Sequence, residues 1–409
     1  MQSLKELYKI GNGPSSSHTM GPKRATEMFK NKHRDATKFK VILYGSLALT
    51  GKGHLTDYII AKTLEGYEHE IIFDTVTECP VHPNTFDLFA YKDNELLEQC
   101  RVYSVGGGTF IIDGQDEVIF PEIYYHKSWD EIQLYCREKN IDLFDYVCEH
   151  EGTDIIIYLK EIWRVMVYAI ERGLNTEGRI PGRLKINRMA KSIYQRKLED
   201  ENDVVKRTRL LSSYAYAVSE ENACGGEIVT APTCGAAGVL PAALYYMKNT
   251  YNIEDAKIIK ALGVAGIIGN LIKTNASISG AECGCQAEIG TACSMAAAAC
   301  TYLLGLDLER IENSAEIGLE HHLGLTCDPV YGYVQIPCIE RNAVAAMRAV
   351  DASFLSAMLN QHRKISLDLV IDTMYETGKD LQGHYRETSE GGLAKKYCRN
   401  KYYNHEMNE

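Results

Sequence analysis

The chain lacks any hydrophobic run long enough to cross a bilayer. Its most apolar stretches, residues 261–272 and 295–306, fall short of the roughly 20 residues required and are interrupted by Gly, Asn or Thr. The opening Met-Gln-Ser-Leu-Lys-Glu lacks the basic-then-apolar order of a secretory leader. A basic surplus is also missing. Forty-four Lys and Arg against 55 Asp and Glu leave a net charge of −11, which argues against a nucleic-acid or anionic-membrane partner. One local pocket can still receive a small carboxylate. There is no internal repeat, no low-complexity stretch and no pyridoxal-type lysine motif. These absences set the expectation of a cytoplasmic protein, and in that reducing setting the 13 cysteines do not form a disulfide framework. Metal binding or plain burial must account for them. Burial suffices for Cys79, Cys100, Cys136 and Cys148, which stand alone in mixed segments.

What is present is an ordinary globular balance, 45% hydrophobic and 24% charged, in a chain longer than one core usually supports. Strand-like runs at residues 40–49, 70–73, 102–104 and 109–112, mixed with helical patterns at 21–32 and 57–65, predict a sheet with helices on one side. After a polar, aromatic connector at 127–145 the strand signals nearly vanish. Helical periodicity or Ala-rich composition covers 154–173, 186–197, 204–218, 236–248, 254–272, 287–306, 308–322, 339–359 and 365–378. The expected fold is therefore an α/β (α+β) N-terminal domain, residues 1–145, followed by a mostly α-helical catalytic domain, residues 146–409.

Several stretches carry more polar chemistry than turns require. Gly11-Asn-Gly-Pro-Ser15-Ser16-Ser17-His18-Thr19-Met-Gly-Pro22 sets hydroxyls and an imidazole in a row at an expected helix start, where side-chain and backbone donors suit a carboxylate or phosphate. Tyr44-Gly-Ser-Leu-Ala-Leu-Thr-Gly51-Lys52-Gly53-His54 lacks the Gly-x4-Gly-Lys-Ser/Thr spacing of a nucleotide loop. Its Lys52 and His54 suit acid–base or carboxylate contacts instead. His82-Pro-Asn-Thr85 and Gly106 to Gly108 read either as turns or as a second small-molecule site. Thr230-Ala-Pro-Thr233-Cys234-Gly235 opens a helix with small residues that let a ligand approach the backbone amides.

The thiols concentrate in Ser277-Ile-Ser-Gly-Ala-Glu-Cys283-Gly-Cys285-Gln, Gly-Leu-Thr-Cys327-Asp-Pro and Ile-Pro-Cys338-Ile-Glu-Arg-Asn342. Prolines beside Cys327 and Cys338 fix the local backbone and withhold a donor. The spacing is not the Cys-x2-Cys of zinc ribbons or ferredoxins, so on spacing alone a metal site and buried free thiols both stand.

Taken together, Gly13 to Pro22, Tyr44 to His54, His82 to Thr85, Glu177-Gly, Pro181-Gly, Thr230 to Thr233, Ser277 to Gln286, Glu320-His-His-Leu-Gly-Leu-Thr-Cys327-Asp-Pro329, Ile336 to Asn342 and Glu387-Thr-Ser-Glu-Gly-Gly-Leu-Ala394 resemble the iron–sulfur-dependent L-serine dehydratases (L-serine ammonia-lyases) in their single-chain form. The likeness runs nearly end to end. The resemblance implies a 4Fe-4S cluster held by Cys285, Cys327 and Cys338 with one iron open. It also implies an N-terminal domain like the serine-binding domain of some phosphoglycerate dehydrogenases, a homodimer, and a C-terminal cysteine able to cap the cluster. Cys398 is nearest to that last role, although eleven residues follow it. The chain departs from many relatives at Cys234, Arg183 and Tyr331, which bears on substrate preference more than on reaction class.

The expected chemistry is β-elimination of L-serine to pyruvate and ammonia. An open iron would act as a Lewis acid on the hydroxyl. His54 is the first choice of base and His18 the second, both with pKa values expected near the operating range, and Lys52 completes the catalytic set. Ser16, Ser17, Thr19, Thr233 and Gly235 are expected to hold the substrate. Two rivals remain: a desulfidase using the same cluster on L-cysteine, and a non-catalytic iron–sulfur or zinc sensor.

Overall fold

The computed structural model describes residues 1–115, 120–359, 364–388 and 390–399. Ser389, within the last quoted motif, and the residues after Arg399 lie outside that set. The chain divides into two compact units, Gly11–Phe120 and a second formed by Met1–Ile10 with Pro121–Glu409. Composition suggested a division at 145, inside what the structure shows as a helix. The polar, aromatic stretch after Pro121 clusters with the helical unit.

The smaller unit follows a short strand, β1 (Ile10–Asn12), with helix α1 (Gly21–Lys32), strand β2 (Lys38–Tyr44), helices α2 (Gly45–Thr50) and α3 (Thr56–Thr63), and strands β3 (Glu68–Asp74), β4 (Thr85–Lys92), β5 (Glu95–Gly106) and β6 (Thr109–Ile112). The sheet order is β3-β2-β4-β5-β6. Only the β2–β3 pair is parallel, in register Val41 to Ile71 and Leu43 to Phe73. Along β2, Phe39, Val41 and Leu43 alternate into a core with Ala25 and Phe29 of α1, Ile59 and Ile60 of α3, and Phe86 and Leu88 of β4. Each of the larger side chains among them, taken from water, contributes on the order of 2 kcal/mol. Asp93 and Asn94, both at positive φ, close the β4–β5 hairpin as a two-residue turn of the primed type.

The strand-like run at 40–49 is not one element. The strand stops at Tyr44 and α2 starts, because Gly45 sits at φ +50° with Pro83 O 2.5 Å from where a Cβ would stand. Only glycine fits there, and the reversal carries Ser46 and the histidine loop off the sheet. His82 to Asn84 form the bend that leads into β4, where Asn84 N donates to His82 Nδ1 at 3.0 Å, and Gly107 and Gly108, at φ +56° and +73°, lie between β5 and β6.

The larger unit is helical. It runs through α4 (Trp129–Lys139), α5 (Leu143–Glu151), α6 (Asp154–Asn175), α7 (Ala190–Gln195), α8 (Asp203–Ala223), a short strand β7 (Glu227–Val229), α9 (Val239–Tyr251), α10 (Asp255–Asn275), α11 (Gly280–Cys283), α12 (Thr291–Leu303), α13 (Leu308–Glu320), α14 (Cys338–Met358), α15 (Leu367–Asp380) and α16 (Gly392–Arg399). At its centre is α12, whose residues Thr291 to Thr301 are all buried, packed by α9, α10, α13 and α14. Its alanines bring neighbouring backbones close: a Cβ on Gly318 of α13 would meet Ser294 Cα at 3.1 Å. Helix α12 therefore gives a rigid base to the turn before it, where Cys285 lies. Among the described residues no helix is long and apolar enough to cross a membrane, and no cysteine is in a disulfide.

Candidate metal site and histidine cluster

In the helical unit a π-turn, Gln286–Gly290, feeds α12, with Cys285 immediately before it and Glu288 one turn on. Gln286 locks this segment. Its amide nitrogen donates to Cys283 O (2.9 Å) and Met374 O (3.3 Å), while its oxygen accepts from Gly324 N (2.9 Å) and Thr377 Oγ1 (3.2 Å). All four of its bonding positions are filled inside the core, so the turn has one geometry. The neighbouring Cys283 goes elsewhere: its thiol packs against Gly378 of α15.

Cys327 is fixed by two backbone hydrogen bonds to the segment after α15, Cys327 N to Tyr385 O and Glu387 N to Cys327 O, each 2.8 Å. Cys338 is the first residue of α14, where unpaired amides and the helix dipole favour a thiolate. The donor atoms of Cys285, Glu288 and Cys327 lie within 4.8 Å of one another. Cys338, half-buried, is within electrostatic reach of Cys285 and Glu288. Arg341, one turn along α14, lies against Cys285, donates to Thr326 O at 2.6 Å and pairs with Asp328 Oδ1 at 3.3 Å. The three thiols singled out from sequence are thus brought together, and Glu288, Gln286 and Arg341 join them.

The electrostatics bear on what this set can hold. The Cys327 thiol is held well above its usual range by its hydrogen bond with Cys285 and by burial, and burial pushes the Cys338 thiol up. Burial also raises Glu288. Raised thiols at Cys327 and Cys338 beside a raised Glu288 carboxyl favour the neutral forms until a metal ion compensates their charge. Thiolates with a carboxylate and an arginine therefore fit a soft metal or an iron–sulfur group, whose binding would displace those protons.

Thr233 and Gly235, expected at the substrate, are next to this set. Thr233 Oγ1 donates to Glu288 Oε1 at 2.7 Å, and Gly235 is tied to α14 through Asn342, whose Nδ2 donates to Gly235 O at 2.7 Å. Asn342 Oδ1 accepts from Gly238 N at 2.9 Å, so a buried amide clamps the start of α9.

The C-terminal helix is anchored on the same region. Leu393 N donates to Asp328 Oδ2 at 2.6 Å, and Gly392, at φ +48°, has no room for a Cβ beside that carboxylate. Within α16, Cys398 lies against the Tyr331 hydroxyl. Asp328→Ala is expected to lower stability by about 3 kcal/mol, because it leaves the enclosed Arg341 without its carboxylate and α16 without its anchor. Urea unfolding, with limited proteolysis around residues 381–391, checks both effects; an unchanged midpoint would contradict the anchoring role.

In the α/β unit the polar motifs converge on a histidine pair. The His18 and His54 rings are 4.5 Å apart at 36°. His18 Nδ1 is 2.9 Å from Ser17 Oγ and Nε2 is 3.0 Å from Ser46 Oγ. His54 Nδ1 faces Thr50 O at 3.2 Å. A carbonyl only accepts, so the proton of neutral His54 is on Nδ1 and Nε2 keeps a lone pair. The expectation of histidine pKa values near the operating range does not hold. Burial lowers His54 to about 4, and burial followed by His54 itself drives His18 well below its ordinary value.

Thr19 is occupied by structure rather than by an open site: it is fully buried, donating to His54 O at 2.8 Å and accepting from Ser15 N at 3.2 Å. It ties the serine motif to the histidine loop. Ser16 and Ser17 are half-buried. Lys52 is exposed, with Nζ over the Phe73 ring at 5.3 Å.

The α/β unit thus carries a buried histidine pair, and the helical unit carries a thiol-rich donor set that could hold a metal ion. Residues 46–394 match the family model described as serine dehydratase alpha chain, and residues 3–70 match that of the serine dehydratase beta chain. The chain is 41% identical to L-serine dehydratase 1 of Escherichia coli (strain K12) and 42% identical to the L-serine dehydratase of Streptomyces coelicolor, in each case over 96% of this chain and at least 98% of the relative. Against the L-serine dehydratase of Helicobacter pylori (strain ATCC 700392 / 26695) the identity is 39% over 96% of this chain. The chain belongs to the serine dehydratase family.

Proposed function

We propose that this protein is an L-serine dehydratase that eliminates water from L-serine to give, after tautomerisation and hydrolysis, pyruvate and ammonia. The observation that carries the reading is the convergence of Cys285, Cys327 and Glu288 within 4.8 Å, with Cys338 and Arg341 beside them, in a chain of this family. Cys285, Cys327 and Cys338 would hold a 4Fe-4S group, which when bound supplies a Lewis acid for the departing hydroxyl.

The chain's own residues account for the rest. His54 Nε2, unprotonated at neutral pH, receives the α-proton. A base of pKa about 4 is weak, but an anionic substrate carboxylate beside the buried ring raises it. His18, whose ring nitrogens face the hydroxyls of Ser17 and Ser46, packs its ring beside His54 and helps to enclose it. Ser16 and Ser17 receive the carboxylate. Thr233 serves by orienting Glu288, and Lys52 acts from the exposed loop as a positive charge toward incoming anions.

The reading is tested by an anaerobic count of iron and sulfide, an electron paramagnetic resonance spectrum with and without serine, and pyruvate formation from serine against cysteine. Iron and sulfide in equal amount with serine-dependent spectra are expected, along with turnover of serine in preference to cysteine. Serine deamination by protein without inorganic iron would overturn it. The proposed homodimer is checked by light scattering on the same sample.

A further inference from the structure

Where α7, α8 and α14 meet, the helical unit holds a cavity of about 730 Å³, a volume in the range of small-molecule sites. We propose that it binds a free amino acid with a large apolar side chain, at a site separate from the thiol-rich set.

The outline of the cavity comes from two packed helices. On α8 it is lined by Val205, Thr208, Ser212 and Tyr216, which share one helix face. On α14 it is lined by Glu340, Ala343, Val344 and Met347. At about 100° per residue, those positions lie on the side of α14 opposite Cys338 and Arg341, so the cavity is no extension of the donor set. Thr208, Ser212 and Ala343 are short side chains where longer ones would interdigitate, and the space stays open.

One wall is held rigidly. Arg209 grips Glu201 at two points, Nε to Oε1 at 2.5 Å and Nη2 to Oε2 at 2.8 Å, and its Nη1 donates to Tyr194 O at 2.5 Å. The two side chains are only 9% and 11% exposed, so this pair fixes the segment between α7 and α8 against the cavity. As a unit the pair is neutral.

Two lining charges remain. Arg196 closes α7 and Glu340 lies in the first turn of α14, and among the described residues neither side chain has an ion-pair partner. One free cation and one free anion, on different walls, complement a zwitterion better than an anion or a cation. The carboxylate would face Arg196 and the ammonium Glu340. The Tyr216 hydroxyl, close enough to feel the charge of Glu340, adds a further hydrogen-bonding group. Leu198 and Val344, both about half exposed, join Ile193, Val205 and Met347 as apolar surface for the side chain to cover. L-Serine is a poor fit, because its hydroxymethyl group would leave water for those apolar walls.

Calorimetric titration of the full-length protein with L-leucine and L-phenylalanine tests the assignment. Saturable binding at one site per chain is expected, with Kd below about 1 mM. Isopentylamine and isocaproate, which lack the carboxylate and the ammonium of leucine, should each bind at least about tenfold more weakly. Arg196→Gln and Glu340→Gln should weaken leucine by a similar factor, and Val344→Trp should abolish its binding by filling the space. All three positions are exposed, so the variants should melt as wild type does. The proposal is overturned if neither amino acid saturates below about 10 mM. Wild-type affinity in the Val344→Trp protein overturns it too, as does L-serine, the amine or the acid binding as tightly as leucine. Light scattering on Val344→Trp probes a second copy as the occupant, and loss of a dimer in that variant would assign the face to a subunit contact instead. The titration reads binding and not turnover, so its outcome is independent of the iron and sulfide count that tests the proposed function.

Discussion

Alanine in place of Cys285, Cys327 or Cys338 is expected to give a colourless protein with no iron above background and no pyruvate formation, a loss beyond about a thousandfold. The size of the effect follows from the site's electrostatics. Burial raises the Cys327 and Cys338 thiols and the Glu288 carboxyl beside them, so a bound metal is what would favour their ionised forms. Removing one sulfur takes away a strong metal bond and leaves the remaining anions with nothing to offset their desolvation. Cys283→Ala is the internal control. Its thiol packs on Gly378 of α15 and not on the donor set, so that variant should keep its iron and lose only the small stability of a filled space. Iron analysis and visible absorption on the four variants separate the cases. An active, colourless protein among the first three would remove that residue from the ligand set.

That contrast between Cys283 and Cys285 shows how much of the site was legible in the sequence. The two thiols stand two residues apart, and nothing in the string says which one turns inward. The family motif selected Cys285, and the structure separates the two: α11 ends at Cys283, which packs on Gly378, while the turn pinned by Gln286 carries Cys285 to Glu288 and Cys327. Arg341 and Asp328 were quoted in motifs without a role, and Glu288 stood just outside them. Their partners are remote, Thr233 lying 55 residues from Glu288 and Leu393 lying 65 from Asp328. Local patterns carry no signal for pairings of that range. The one available clue was a cluster of acidic and basic residues beside thiols in otherwise apolar sequence.

The fold divides along the same line. Helices with a long apolar stripe or strong composition were legible to within a few residues: α6 at Asp154–Asn175 against 154–173, and α14 at Cys338–Met358 against 339–359. Strand β4 was missed. It is a central strand, buried on both faces over most of its length, and its Asp87 points inward to a bidentate pair with Arg101 at 2.8 Å. Alternation, the usual signal of a strand, is absent there. The helix expected at 186–197 shortens to Ala190–Gln195, because Asn187 is held in a bridge to Arg179. Tertiary pairing overrides propensity in both places.

His54→Ala is expected to keep its iron and its colour while losing turnover by about 10²- to 10⁴-fold, the range typical of a positioned base. Retained cluster with lost rate separates this variant from the cysteine variants, and wild-type turnover would disqualify His54. The pH dependence gives a second readout of the same ring. His54 is neutral at pH 7 with a folded pKa of about 4 against an ordinary 6.5. The unfolded chain therefore takes up a proton near pH 6.5 that the folded chain refuses until about pH 4. The stability that neutral His54 contributes is fully present above pH 6.5 and is lost as pH falls through that window, by at most about 3 kcal/mol. His18, also lowered by burial, acts with the same sign. Urea midpoints measured between pH 7 and pH 4.5 should fall more steeply for wild type than for His54→Ala, even though the variant starts lower because of the space it leaves. Equal slopes would mean that the imidazole is not enclosed as the structure has it. In that case the unprotonated Nε2, on which its role as base depends, would lose its physical basis.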